Sequence, residues 1–393
     1  MPYPNTSLLP RSALRVTSLS PGISLLTAMS KFPAKARIGV LTFHNGPNFG
    51  GFLQAWHLVR AIRSLGYDAH AVNYLHPTHH ESNQIRIPMR NLASVKGKIF
   101  WFLKKRGFRN IEKKICSDCF TTDVTKVPWK KFDAIVVGSD VVWNYEEEKF
   151  GSDPAYFGAV TEMQGIPLVS YAASCGPASV SGPFPSFIRE GLSRFHRIGV
   201  RDQPTSELVR NASGLDSRMV VDPTWLNPDE DTDWGGLPDR PFLFAYGGSL
   251  DASLCAKLRD YCHREGLLLI SALSSCPGAD KIYRSLTPFQ WVQLFKNANS
   301  VLVTGTLHGT IYAIKYGRPF ILVNAPATSA KISKLLEKIG QSHRLFEPGM
   351  VRSQDLLLLN EADDGLIPPR TWVEESRDFL SDALESALCG DSS

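Results

Sequence analysis

The chain has 393 residues, of which 43% are hydrophobic and 10% aromatic. That composition excludes disorder over most of the length and allows two or three cores. A formal net charge of +5 suits an anionic substrate or surface, but no arginine-rich tract or RNA-binding signature accompanies it, so no nucleic-acid partner is expected.

Residues 1–36 are rich in Ser, Pro and Leu, carry Arg11, Arg15, Lys31 and Lys35, and contain no acid, the composition of a disordered or targeting-like tail. Met29 stands close to the first strand and is an alternative start. Ile23 to Met29 is too short for a secretory core, and no later segment offers about 18 uninterrupted apolar residues, so no transmembrane helix is predicted. An odd number of scattered cysteines argues for a reducing compartment, and the expected location is cytoplasmic.

The first strand is predicted over Arg37-Ile-Gly-Val-Leu-Thr-Phe43. The polar, glycine-rich turn His44 to Gly51 follows, then a helix from Phe52 to Leu65 closed by Gly66, and a returning strand at Val72-Asn-Tyr. This βαβ unit lacks G-x-G-x-x-G, so no dinucleotide fingerprint is present. Asn45, Asn48 and Gly50 in its turn are candidate cleft-lining residues, and turn formation alone accounts for Gly50 and Gly51 equally well.

Residues 85–110 interleave Arg86, Arg90, Lys96, Lys98, Lys104, Lys105, Arg106 and Arg109 with Ile99, Phe100, Trp101, Phe102 and Leu103. The pattern is that of a helix packed on the core by its apolar side, or of a basic amphipathic segment on an anionic membrane face. Cys116-Ser-Asp-Cys119 has no second pair and no H-x-x-x-H, the seven cysteines are otherwise scattered, and neither a metal site nor a disulfide framework is predicted.

Four further strands end in polar residues, where open parallel sheets carry their sites. They are Ala134 to Val137 before Ser139, Asp140 and Asn144; Leu168 to Tyr171 before Ser174; Arg197 to Val200 before Arg201 and Asp202; and Met219 to Val221 before Asp222 and Thr224. A polar stretch at 231–240 is a predicted linker. It separates an N-terminal α/β domain at 37–230 from a second at 241–393, with a last helix that packs back on the first.

The second unit alternates strands and helices up to Ser300-Val-Leu-Val-Thr-Gly-Thr-Leu-His308-Gly-Thr310, a strand, a turn permitted by Gly305 and a helix ending at Gly317. A histidine there stands beside unpaired backbone N–H groups and a partial positive charge, next to an anion site. His308 is therefore either an acid/base group or a satisfied structural histidine. The fold class expected from all of this is α/β, two doubly wound Rossmann-like domains facing a central cleft.

Between Arg37 and Gln341 the chain resembles the polysaccharide pyruvyl transferase family. The resemblance rests on Ile38-Gly-Val-Leu-Thr-Phe-His-Asn45, Asn48-Phe-Gly-Gly-Phe-Leu-Gln-Ala55, Phe132 through Gly138-Ser-Asp140 to Trp143-Asn144, Tyr171-Ala-Ala-Ser174, Val200-Arg-Asp202, Val221-Asp-Pro-Thr224 and Thr304-Gly-Thr-Leu-His-Gly-Thr310. It implies a GT-B-like fold and no cofactor. It also implies transfer of the enolpyruvyl group of phosphoenolpyruvate, as co-substrate, to two hydroxyls of a free or lipid-linked saccharide. His308 would be catalytic; Arg201, Lys331, Gly309, Thr310 and Thr306 would bind the donor. Asn45, Asn48, Gly50, Ser139, Asp140, Asn144 and Ser174 would line the acceptor side. Some members carry arginine where this chain has Thr306, and Lys315 or Arg318 are the candidates to replace that charge. A nucleotide-sugar-dependent glycosyltransferase on the same architecture is the alternative reading, since fold does not settle function.

Overall fold

A computed structural model describes residues 35–46, 48–85, 110–150, 152–248, 250–273, 276–325, 329–361 and 370–389. The expectations for the N-terminal tail and for the basic stretch 86–109 lie outside the described residues.

Two fully parallel six-stranded sheets carry the chain. The first contains β1 (Arg37–Leu41), β2 (Asp68–Ala71), β3 (Ala134–Val137), β4 (Leu168–Ala173), β5 (Phe195–Val200) and β6 (Arg218–Met219), ordered β2-β1-β3-β4-β5-β6. Its described helices are α1 (Phe49–Ser64), α2 (Pro77–Ile85), α3 (Ser186–Leu192) and α4 (Gln203–Ser213). The second contains β7 (Phe242–Gly247), β8 (Leu268–Ala272), β9 (Lys281–Tyr283), β10 (Ser300–Thr304), β11 (Phe320–Val323) and β12 (Leu345–Phe346), ordered β12-β11-β10-β7-β8-β9. Its helices are α5 (Ala252–Glu265), α6 (Pro288–Asn297), α7 (Leu307–Lys315) and α8 (Ser329–Lys338), and α9 (Arg370–Cys389) returns to pack on β4 and β5 of the first sheet.

The strands are continuous runs of β-branched and aliphatic residues because helices cover both faces: β3, β4, β10 and β11 are buried at every position. Helix boundaries follow local chemistry. Thr287 closes a capping box with Gln290 at the start of α6, and Asp202 and Asp251 cap α4 and α5. Two expected boundaries are corrected. The predicted strand at Val72 to Tyr74 is β2, four residues earlier, and α1 begins at Phe49, so Gly50 and Gly51 belong to its first turn.

One core runs through both sheets. Phe49, Phe52 and Trp56 on α1 meet Trp291 and Phe295 on α6 and Tyr312 on α7 within a single apolar cluster, with Phe49 and Trp291 ring centroids 5.8 Å apart. Each sheet reverses its winding once, between β1 and β3 in the first and between β7 and β10 in the second. Sites form outside the carboxyl ends of strands at such reversals. The segments there are the start of α1 with Ser139 and Asp140, and the start of α7 with His308.

Candidate active site

Those segments meet. His308 is the second residue of α7, inside the helix rather than in the turn before it, with Thr306 as N-cap. A Cβ built on Gly50 would lie 2.2 Å from His308 Nδ1, so the imidazole occupies the space a side chain at position 50 would fill. Backbone N–H groups of two helix N-termini, one from each sheet, therefore converge beside this ring.

On the other side of the ring stands Asp222, which follows β6. Its Oδ2 lies 3.5 Å from His308 Nε2 and accepts from Arg201 Nη1 at 3.0 Å. Arg201, at the end of β5, also faces Asp140 Oδ1 at 3.7 Å. Burial pushes the Asp222 carboxyl up, but His308, Arg201 and the Thr224 amide outweigh it and hold the group well below the usual carboxylate range. Burial opposes the Arg201 charge, but three neighbouring carboxylates, Asp222, Asp140 and Asp202, outweigh it and raise the group.

Lys331 on α8 completes the cluster. Its Nζ donates to Ser174 Oγ at 3.0 Å and stands 3.8 Å from Asp202 Oδ2, while Ser174 Oγ donates to Asp202 at 2.6 Å. Burial and the Arg201 charge push the Lys331 ammonium down to about 8, with Asp202 and Asp140 pulling the other way. Ser174 and Arg201 come from the first sheet and Lys331 and His308 from the second, so the site straddles both.

The other expected site residues divide. Gly309 admits no side chain, since a Cβ there would lie 2.4 Å from Thr306 Oγ1 and 2.9 Å from Val303. Thr310 is buried and its hydroxyl donates to the Thr306 carbonyl at 3.0 Å, a bond that tightens the first turn of α7. Ser139 does not line a cleft. It is fully buried and its hydroxyl donates to Gln54 Oε1, while Gln54 Nε2 donates to Thr42 Oγ1 and the Phe43 and Gly51 carbonyls. This network locks the loop after β3 to the start of α1. Asn45 is held through its carbonyl by Asn83 at 3.3 Å, and Asn48 is the exposed N-cap of α1, its side chain making no capping bond. Asn144 is buried and lines a surface groove with Glu146 and Pro177.

The replacement cation expected at Lys315 or Arg318 is not at the site. Lys315 donates to the Thr224 and Asn227 carbonyls at 2.6 and 3.0 Å and pairs with Asp229 at 2.6 Å; Arg318 donates to the Lys296 carbonyl. Lys315 lies two helical turns further along α7 than His308, and Arg318 lies beyond the end of that helix.

Asp222 and Asp202 had no role among the expected site residues, although each lies within two residues of a predicted strand end. Their sequence signal was the recurrence of an acid one to three residues past the strand ends at Val137, Val200 and Val221. Two buried donors at the cluster, Arg201 Nε and Thr306 Oγ1, have no partner among the described residues, and His308 Nε2 has only the 3.5 Å contact with Asp222. Leaving such groups unmet costs roughly 1–3 kcal/mol each, which a ligand rich in acceptors would recover.

The chain is similar to other proteins at two levels. Among solved structures, the glycosyltransferase SnogD from Streptomyces nogalater aligns at 14% identity over 90% of this chain and 98% of its own, with a TM-score of 0.45. The UDP-GlcNAc 2-epimerase from Methanocaldococcus jannaschii aligns at 11% over 88% and 99%, with a TM-score of 0.48. Arabidopsis thaliana UGT89C1, complexed with UDP-L-rhamnose, aligns at 13% over 90% and 95%, also at 0.48. At these scores the likeness adds nothing to the strand orders. No curated protein matches the chain significantly. The model of the polysaccharide pyruvyl transferase family, by contrast, matches residues 48–325, from the N-cap of α1 to just past β11, and so takes in Gly50, Arg201, Asp222 and His308. With more than half of its length matched, the chain belongs to the polysaccharide pyruvyl transferase family and is a transferase.

Proposed function

We propose that this transferase moves the enolpyruvyl group of phosphoenolpyruvate onto two hydroxyls of one sugar, forming a cyclic pyruvate ketal and releasing phosphate. The observation that carries the reading is the pair of unmet donors, Arg201 Nε and Thr306 Oγ1, gathered beside His308 at the N-terminus of α7. A donor with a carboxylate and a phosphate supplies the acceptors they lack. Asp140, Asp202 and Asp222 outnumber the two basic side chains, Arg201 and Lys331, so side-chain charge alone does not make the site positive. The backbone N–H groups of α7 and a proton on His308 supply the rest.

The chemistry balances with a single proton carrier. The imidazolium of His308 gives its proton to the donor's methylene carbon. The first sugar hydroxyl bonds to the adjacent carbon and passes its proton to the imidazole. The bond from that carbon to the phosphate oxygen breaks, and phosphate leaves with the proton. The second hydroxyl then bonds to the same carbon and reprotonates His308. Of two hydroxyl protons, one ends on the new methyl group and one on phosphate.

The test is phosphate release from phosphoenolpyruvate by purified protein across a panel of free, nucleotide-activated and lipid-linked saccharides. His308→Ala should lower turnover roughly 10²–10⁴-fold with an unchanged circular dichroism spectrum. Arg201→Ala should raise the donor KM roughly ten- to hundredfold, the worth of a charge-assisted contact. Absence of phosphate release with every acceptor, together with no calorimetric binding of phosphoenolpyruvate, would discard the reading.

A further inference from the structure

Asp222 uses its two carboxylate oxygens differently. Oδ1 accepts from the Thr224 amide at 3.1 Å and the Thr224 hydroxyl at 2.8 Å, which fixes the carboxylate plane at the start of the short turn Pro223–Trp225. Oδ2 is left to face Arg201 Nη1 at 3.0 Å and His308 Nε2 at 3.5 Å. The group is 4% exposed, so water does not compete for either oxygen. His308 can present only two nitrogens, and the other, Nδ1, lies against Gly50.

From this geometry we infer that Asp222 is a positioning residue for the reaction, taking the Nε2–H of His308 and so placing the lone pair on Nδ1. The inference rests on the reading of His308 as the proton carrier. A neutral imidazole has one N–H, and the hydrogen bond made by one nitrogen decides which nitrogen is the base. With Nε2–H directed at a carboxylate, Nδ1 is the atom that accepts a hydroxyl proton, and the imidazolium then formed keeps its Nε2–H on an anion. At 3.5 Å the contact is longer than a full hydrogen bond, as catalytic contacts without substrate commonly are. The same oxygen holds Arg201, so the donor's anchor and the proton carrier share one reference point. A shift of the carboxylate would displace both together.

The tautomer can be read without any substrate. In full-length protein labelled with ¹⁵N-histidine, two-bond nitrogen–proton correlations distinguish Nε2–H from Nδ1–H imidazoles, and His308→Gln identifies the signal by its loss. The expected result is an Nε2–H tautomer for neutral His308, changed to Nδ1–H or a mixture in Asp222→Asn. With phosphoenolpyruvate and an acceptor, Asp222→Asn should lower kcat about 10²-fold or more without raising the donor KM, because Arg201 keeps its charge. An Nδ1–H tautomer in the unsubstituted protein overturns the inference and needs no variant. So does an Asp222→Asn protein with unchanged tautomer and kcat and only a lower Tm, the mark of a turn-capping residue. If the protein releases no phosphate from phosphoenolpyruvate but the tautomers behave as expected, the donor assignment fails and the role of Asp222 stands.

Discussion

Gly50 sits in a helical turn where alanine would ordinarily be better by roughly 0.5–1 kcal/mol, yet its missing side chain is the space that His308 fills, with Nδ1 2.2 Å from the would-be Cβ. Gly50→Ala should therefore separate stability from activity. The imidazole must move by more than an ångström, enough to cost roughly 10²-fold in turnover, while Tm changes little. Equal activity in the alanine variant would mean that the observed ring position is not the working one. Lys331 makes a second prediction at this scale. Its ammonium is pushed down to about 8, so it is charged below that pH and neutral above it. The donor KM should thus be flat at lower pH and rise as pH passes through about 8, and the rise should be absent in Lys331→Arg. A donor KM without pH dependence from 7 to 9 would remove Lys331 from donor binding.

At the scale of elements, what the sequence disclosed depended on whether a signal was local. Strand interiors such as Ile321 and Leu302 are runs of apolar residues bounded by turn formers, and β10, α7 and β11 lie where their residue types put them. The start of α1 did not follow local propensity: two glycines in succession look like a turn, but both are helical, and the side chain missing at Gly50 leaves the room that the opposite sheet's histidine fills. β6, β9 and β12 are two or three residues long, too short for any periodicity. The site divided along the same line. His308 and Arg201 were named within motifs and Lys331 through the family resemblance, and the structure brings the three together. The buried roles of Ser139 and Asp222 depend on Gln54, 85 positions before Ser139 in the chain, and on His308, 86 positions after Asp222, and no spacing rule reaches that far.

For the whole molecule, the two sheets must keep Arg201 and Asp222 from one beside His308 and Lys331 from the other, and a second buried cluster behind the site ties them. Asp229, in the chain between β6 and β7, accepts from His57 on α1 at 2.9 Å, from Tyr312 at 3.1 Å and Tyr316 at 2.8 Å, and pairs with Lys315 at 2.6 Å. Tyr312 and Lys315 follow His308 on α7 by four and seven residues, the spacing of one helix face. Burial pushes the Asp229 carboxyl up and the His57 side chain down; the His57 hydrogen bond and Lys315 outweigh the first effect and hold Asp229 well below its ordinary value. A carboxyl depressed by folding contributes stability above its unfolded value, about pH 4, and loses it as pH falls further. Asp229→Ala would leave Lys315 buried and uncompensated, at a cost of about 3–5 kcal/mol, and would loosen α7 against α1. It should lower Tm by several degrees, flatten the loss of stability below pH 4, and lower turnover although Asp229 does not touch His308. The control is Asp231→Ala, which removes an exposed pair with Lys296 worth at most about 1 kcal/mol. If both variants melt within a degree of the parent, the tie between the sheets resides in the aromatic packing of Phe49, Trp291 and Tyr312, and Asp229 is a passenger in it.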